Sequence, residues 1–130
     1  GSQHSLCQTS NPVPKQFSGV QGKKYQPKTA AGQDFNAGST ANGWQCIKFT
    51  MSQAISYQYQ YVLGNPGGPV FGMKCGGGSN AFYGTAKGDI DGNWISGWDT
   101  VSTFSRCGQV DATSKSVKLS TQIFARNPNE

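Results

Sequence analysis

The carboxyl-terminal part of the chain decides the fold, and it reads, in order, AFYGTAK (81–87), GDIDGN (88–93), VSTFSRCGQV (101–110), DATSKS (111–116) and VKLSTQIFARNPNE (117–130). Three of these segments have the alternating, β-branched and aromatic character of short strands. The segments between them consist mainly of Asp, Gly, Asn, Ser and Lys, which favour turns. We therefore predict an antiparallel β-meander for this part of the chain.

The overall composition also favours a β domain with many loops. The chain has 130 residues with 18 Gly, three Leu and a single Glu, so good helix formers are scarce. Phe, Trp and Tyr make up 12% of the residues, whereas disordered segments are usually poor in aromatic residues. The length suits one domain that buries roughly two thirds of its unfolded surface. We predict a single, mainly β domain over residues 1–130.

The clearest strand upstream covers Ala54–Leu63, where apolar and aromatic residues alternate with polar ones. Residues of one face are Ile55, Tyr57, Tyr59, Tyr61 and Leu63. Such alternation predicts a sheet with one buried and one solvated side. An aromatic row of this kind also suits an exposed platform for sugars or bases. We favour a core face, because Ile55 and Leu63 share it with the tyrosines.

Residues 1–43 form a different region, without any sustained hydrophobic period. Gly and Pro interrupt them every few positions, which predicts a long loop, and a loop of this length is usually functional. We expect Phe17, Tyr25 and Phe35 to anchor it. Residues 44–130 are expected to form the sheet core, with Trp44–Phe49 as an edge strand or a one-turn helix. Together these segments predict a four-stranded antiparallel sheet with long loops.

The chain contains four cysteines, Cys7, Cys46, Cys75 and Cys107, and one histidine. Tetrahedral zinc sites usually have ligand pairs two to four residues apart, and no such pair occurs here. An even number of cysteines in a Gly-rich chain favours two disulfides and an oxidising compartment. Three pairings are possible. If 82–87 and 101–107 form a hairpin, Cys75 comes close to Cys107, and Cys7 is left to pair with Cys46.

The charge pattern does not favour nucleic acid as a partner. The net charge is +5, but only 13% of the residues are charged, and the tightest basic group is Lys23, Lys24 and Lys28. Nucleic-acid surfaces usually group Lys and Arg with aromatic residues on one face. We expect these charges to be solvated in a loop.

The residues also give little support for catalysis, and we predict that the protein is not an enzyme. His4 is the single imidazole and lies near the terminus, so a nucleophilic site has no evident base. Asp89 with Asp91 or Asp99 could in principle form a carboxylate pair. However, carboxylates within one turn are more naturally ligands or turn formers than acid and base across a cleft.

The turn after the second predicted strand is a candidate calcium site. Asp89, Asp91 and Asn93 place oxygen donors at alternate positions, and Asp99 follows. Calcium takes six to eight oxygen ligands from such side chains and from carbonyls. The turn lacks the Gly and the terminal Glu of an EF-hand loop, and Asp, Gly and Asn also form turns without any metal. Both interpretations stay open.

Two tryptophans lie in the same loop, Trp94 and Trp98. They are either packing residues or an exposed apolar patch that contacts a neighbouring molecule.

Several motifs occur in a recognisable order over residues 44–130. They are W-Q-C-I-K-F (44–49), the tyrosine-rich strand, F-Y-G-T-A-K-G-D-I-D-G-N (82–93), S-T-F-S-R-C-G-Q-V-D (102–111) and Q-I-F-A-R-N-P-N-E (122–130). This order resembles the globular head of bacterial type IV pilins and pilin-like proteins, which include minor pilins and pseudopilins. The agreement is best over residues 84–111, where a G-D-x-D-G turn precedes an S-T-F strand.

The resemblance implies a structural role. The full-length protein would be α+β, with an N-terminal hydrophobic helix that is methylated at its terminus in family members. That helix would anchor the precursor in the inner membrane, with the head in the periplasm, and later pack into an extracellular filament. The partners would be other pilin subunits, in a homo- or heteropolymer, and a host or surface ligand. The filament would serve adhesion, motility or secretion, and calcium binding occurs in loops near this turn in some relatives.

The chain itself has no apolar stretch long enough to span a membrane and no visible signal peptide. These features suit a soluble fragment of a membrane-targeted precursor, and equally a mature secreted protein. A secreted carbohydrate-binding β module is the rival hypothesis, with Tyr57, Tyr59, Tyr61 or the tryptophans as its sugar platform. A small secreted hydrolase is a third.

Overall fold

A computed structural model describes residues 6–64, 81–90, 92, 102–110, 117–119 and 124–126. The elements are 3-10 turns at Phe17–Val20 and Asp34–Asn36, helix α1 (Gly43–Ile47), and strands β1 (Tyr57–Leu63), β2 (Ala81–Gly88), β3 (Ser102–Val110), β4 (Val117–Leu119) and β5 (Phe124–Arg126). The prediction of a mainly β fold is confirmed.

The sheet is an antiparallel meander in which β1 pairs with β2 and β2 pairs with β3. Tyr57 lies opposite Gly88 and Leu63 opposite Phe82 in the first pair, and Ala81 lies opposite Gln109 in the second. The predicted hairpin between the second and third strands is therefore present. Three long strands form the continuous part of the sheet.

The far edge of β3 is paired by two short strands. β4 pairs with residues 108–110, and β5 pairs with residues 103–105. The sequence predicts one strand in residues 117–130. The structure instead divides the pairing between two segments of three residues each.

The outer edge of β1 is covered by the amino-terminal segment. Val13 and Tyr59 exchange two backbone hydrogen bonds of 2.9 Å, and Ser10 N donates to Tyr61 O. The side chains of Gln58 and Gln60 donate to the carbonyls of Pro14 and Ser10. The predicted solvated face of β1 is therefore not free in water: all seven residues of this strand are half-buried, because the glutamines hold the segment beside it. Covering the edge also prevents pairing with other chains.

The hydrophobic core lies between this segment and the start of the sheet. Its buried members are Val13, Phe35, Trp44 and Ile55, with Tyr25, Ile47, Met51 and Tyr59 packed around them. The indole Nε1 of Trp44 donates to the carbonyl of Asn11 at 2.8 Å, so the buried polar atom of the ring is satisfied. Phe35 and Tyr25 thus anchor the loop region as predicted.

The segment predicted as an edge strand or a one-turn helix forms the helix. α1 has five residues and is capped by Lys48, which adopts a left-handed conformation with φ 62° and donates its N–H to Trp44 O. This is a common way to terminate a helix, because the left-handed residue turns the chain away while satisfying a terminal carbonyl.

A disulfide joins Cys7 to Cys46, with Cα atoms 5.8 Å apart and a sequence separation of 39. It ties the amino-terminal segment to α1, and it confirms that predicted pair. Cys107 is fully buried in β3 and is also disulfide-bonded. Its predicted partner, Cys75, lies outside the described residues.

Candidate functional site

The tyrosine face of the sheet is built as a trough. Register places Tyr59 opposite Ala86 and Tyr61 opposite Gly84. Across β2, Ala86 lies opposite Phe104, and Gly84 lies opposite Arg106. Opposed residues of an antiparallel pair share a face. Small residues of the middle strand therefore lie between large residues of the two outer strands.

This trough is a groove of about 550 Å³ with an almost wholly apolar lining. One rim comes from α1 and the residues that follow it, and the floor and other rim come from the three long strands. Its lining residues are Trp44, Ile47, Phe49, Tyr59, Gln60, Tyr61, Gly84, Thr85, Ala86, Phe104, Ser105 and Arg106.

The two glycines of β2 on this face have opposite surroundings. A Cβ placed on Gly88 would come 2.5 Å from the ring of Tyr57, so that ring lies across the strand and fills the space. A Cβ placed on Gly84 would meet no atom of the described residues within 4 Å. The groove is therefore closed near Gly88, where Tyr57 also packs edge-on against Phe104 with ring centroids 6.1 Å apart, and is open above Gly84.

The rim beside α1 is aromatic and partly exposed. The ring centroid of Phe35 is 5.0 Å from that of Trp44 and 5.5 Å from that of Phe49, and Phe49 lies 6.4 Å from Tyr59. Phe49 is 39% exposed, although it belongs to this cluster. The core thus continues to the surface and presents an apolar rim to the groove.

The electrostatics of the groove agree with its apolar lining. Burial, with a smaller contribution from Tyr57, raises the pKa of Tyr59, and burial raises the pKa of Tyr61. The Tyr61 hydroxyl donates to Cys7 O at 2.8 Å, so it is directed to the disulfide segment. Arg106 is the one charged residue among the described residues of the lining. Such a surface can bind an apolar segment and offers few polar groups to orient a hydrophilic ligand.

The predicted calcium site is described at one residue only. Asp89 is fully buried, and its carboxylate accepts a 3.4 Å hydrogen bond from the Gln21 side chain. Its backbone carbonyl accepts hydrogen bonds from Gly22 N and Gly92 N, so the residue joins the turn to the amino-terminal loop. Asp91, Asn93 and Asp99 lie outside the described residues. Within the part that is described, no three or more His, Cys, Asp or Glu side chains form a metal-binding group.

Trp94 and Trp98, predicted as packing or contact residues, likewise lie outside the described residues. Conversely, the groove was not predicted from the sequence. The sequence feature that corresponds to the groove is a set of small residues at alternate positions of β2, namely Gly84, Ala86 and Gly88. Their meaning depends on register, which places them opposite the tyrosines.

No protein-family model, curated protein or solved structure matches this chain. Among the residues described, no helix is both long enough and apolar enough to cross a membrane.

Proposed function

We propose that this chain is the globular head of a subunit of a type IV pilus or a related filament, and that the groove holds an apolar helix of the full-length protein. The groove on the tyrosine face is the observation that carries this proposal. Open grooves with an apolar, aromatic lining are a common form of binding site. The resemblance in residues 44–130 supplies the occupant, a hydrophobic helix that precedes the head.

The dimensions of the groove suit a helix. β1 and β3 lie on either side of β2, and at ordinary strand spacing they are about 10 Å apart. An α-helix with its side chains is also about 10 Å wide. A helix that lies along β2 would place one side chain above Gly84, between Tyr61 and Arg106, with Phe49 covering its flank. This is the helix-in-groove mode of recognition.

The pilin-like head would carry a four-stranded sheet if β4 and β5 together act as its fourth strand. The proposed role is structural and not catalytic. The head would be exported with its helix in the inner membrane and would then polymerise with other pilin subunits outside the cell. Disulfide bonding suits this oxidising location.

The turn at Asp89, Asp91, Asn93 and Asp99 remains a predicted calcium site. If calcium binds there, adding calcium or a chelator should shift the melting temperature of the protein.

The rival sugar platform has less support from the geometry of the tyrosines. The ring of Tyr57 covers Gly88 and packs on Phe104. The Tyr61 ring packs against Phe82, with centroids 5.9 Å apart. Tyr59 joins the aromatic core. These rings are engaged by neighbours and do not form a flat row in solvent.

A groove-filling substitution tests the proposal. Gly84→Leu adds a side chain at a position where a Cβ meets no atom of the described residues within 4 Å, so the isolated head should fold normally. In the bacterium that carries the gene, the full-length variant should lose at least about tenfold of its filament yield in sheared surface fractions, because the helix is displaced. Gln109→Leu, at an exposed position of β3, is the matched control and should assemble like the wild type.

Two results would overturn the proposal. One is a native gene whose product is released as free subunits and never enters a filament. The other is Gly84→Leu filaments at wild-type yield. The gene itself gives a rapid check, because the proposal requires a short basic leader, a cleavage site and a long apolar helix upstream of Gln3.

A further inference from the structure

A second concave site lies away from the groove, between two loops of the amino-terminal region. It is a cleft of about 410 Å³. Its lining residues are Pro14, Lys15, Gln16, Ser18, Gly19, Lys23, Tyr25, Lys28, Gln33 and Asp34. The volume falls within the usual range for small-ligand sites.

Both walls of the cleft are fixed to the body of the protein. The first wall follows Val13, which forms two backbone hydrogen bonds with Tyr59. The second begins at Tyr25, whose backbone N and O bond to the O and N of Ile55 at 2.8 and 2.7 Å. Gly19 lies where the walls meet: a Cβ there would be 3.0 Å from Pro14 Cγ and 3.7 Å from Tyr25 Cδ2.

The far end of the second wall is held by Asp34. One carboxylate oxygen, Oδ2, accepts 2.7 Å hydrogen bonds from the Tyr25 hydroxyl and from Lys28 N. Asp34 has a left-handed backbone with φ 48°, which Asp tolerates better than most residues. The single carboxylate of the cleft is therefore occupied in positioning its own loop.

The charge balance of the lining is positive. Three lysines, Lys15, Lys23 and Lys28, are among the described lining residues, together with the single acidic residue Asp34. In the described part of the chain, none of these lysines has an ion-pair partner. A ligand that brings a negative charge would therefore not have to displace an existing partner.

We propose that this cleft binds an acidic saccharide, with its carboxylate held by the lysines. The neutral polar groups of Gln16, Ser18 and Gln33 suit the hydroxyls of a sugar ring. Nucleic acid fits less well, because single-stranded recognition depends on several aromatic rings that stack successive bases, and Tyr25 is the one aromatic residue among the described lining residues. This inference is independent of the filament proposal, since the two sites share no lining residue.

The test is a titration of the isotopically labelled protein with trigalacturonate, followed by NMR and calorimetry. Maltotriose serves as the neutral sugar, and a DNA oligonucleotide serves as the alternative anion. We expect trigalacturonate to shift the amide signals of Ser18, Gly19 and Gln33. Lys23→Gln and Lys28→Gln should each weaken binding about tenfold, as expected for a lost charge-assisted hydrogen bond.

Lys24→Gln is the matched control. Lys24 is exposed and adjacent to Lys23 but does not line the cleft, so its loss should change the affinity by less than about twofold. Equal weakening by Lys24→Gln would show diffuse charge attraction and overturn the proposal. So would DNA binding as tight as that of the sugar, or no response to trigalacturonate. All variants concern exposed side chains, and circular dichroism verifies their fold.

Discussion

The two parts of the described chain maintain their structure in different ways. Residues 6–56 contain few regular elements, yet they supply the buried side chains Val13, Val20, Phe35, Trp44 and Ile55. Residues 57–64 and 81–126, as far as they are described, contain every strand, yet they expose an apolar groove on one face of the sheet. Regular hydrogen bonding and a completed core are thus separate properties of this molecule.

Side chains replace regular ladders in the first part. The Trp44 indole, the Gln58 and Gln60 amides and the Tyr61 hydroxyl all donate to backbone carbonyls of residues 7–14. Each such bond satisfies a carbonyl that a loop would otherwise leave to water. The comparison teaches that the irregular part completes its core and its hydrogen bonds against β1, whereas the sheet leaves an apolar groove open on its tyrosine face.

Of the changes predicted here, removal of the Cys7–Cys46 disulfide should lower the free energy of unfolding most. In Cys7→Ser/Cys46→Ser, the unfolded chain gains the freedom of a loop of 39 residues, so the free energy of unfolding should fall by about 4 kcal/mol. Urea unfolding followed by tryptophan fluorescence measures this. A loss below about 1 kcal/mol would show that side-chain bonds alone hold the segment.

Truncation of core residues should have the next largest effect. Ile55 is 3% exposed, so Ile55→Ala should cost about 3 kcal/mol through a buried cavity. Leu63, of the same alternating row, is half-buried, and Leu63→Ala should cost about 1 kcal/mol. If chemical denaturation shows the same loss of stability for both variants, the distinction between a buried core and a half-buried sheet face is wrong.

Removal of the Tyr61 hydroxyl, which connects the sheet to the amino-terminal segment, should reduce the stability by a smaller amount. Tyr61→Phe removes the hydrogen bond to Cys7 O and should cost about 1 kcal/mol. Tyr57→Phe is its control, because the structure gives the Tyr57 hydroxyl no hydrogen-bond partner in the described residues, and its cost should be near zero. Thermal unfolding of both variants gives the comparison, and identical melting temperatures would refute the role of this bond.

The smallest expected effect is the pH dependence of stability that comes from ionisation of Tyr25. Burial, the hydrogen bond to Asp34 and the charge of Asp34 raise the pKa of Tyr25 to about 12. Because the folded pKa lies above the unfolded value, the stabilisation is complete below about pH 10 and is lost as pH rises toward 12.

Asp34→Asn should change the pKa of a tyrosine in the amino-terminal part and leave those of the sheet tyrosines unchanged. It should lower the pKa of Tyr25, whereas Tyr61 and Tyr83, whose pKa values are raised by burial, should not respond. NMR titration of the ring carbons resolves the individual residues. An unchanged Tyr25 would show that burial alone raises its pKa.

Much of the sheet could be predicted because strand signals are local. Alternation over residues 57–63 and turn residues after Gly88 depend only on neighbours in sequence. The Cys7–Cys46 pair followed from the hairpin by elimination. The division of the last strand was not predictable, since a short apolar run does not show how it divides between pairing and connection.

The sites were less predictable for a related reason. The sequence shows Lys23 and Lys28 in one loop, but Lys15 joins them only because the segment after Val13 is bonded to β1. Likewise, Gly84 looks like any strand glycine until register places it between Tyr61 and Arg106.

The sequence by itself determined the β class, the positions of the three long strands and the loop character of the amino-terminal region, because backbone preferences and side-chain alternation act over a few residues. Only the tertiary structure decided where the core, groove and cleft lie. Their members are brought together by register and by loop-to-strand hydrogen bonds, which join residues far apart in the chain.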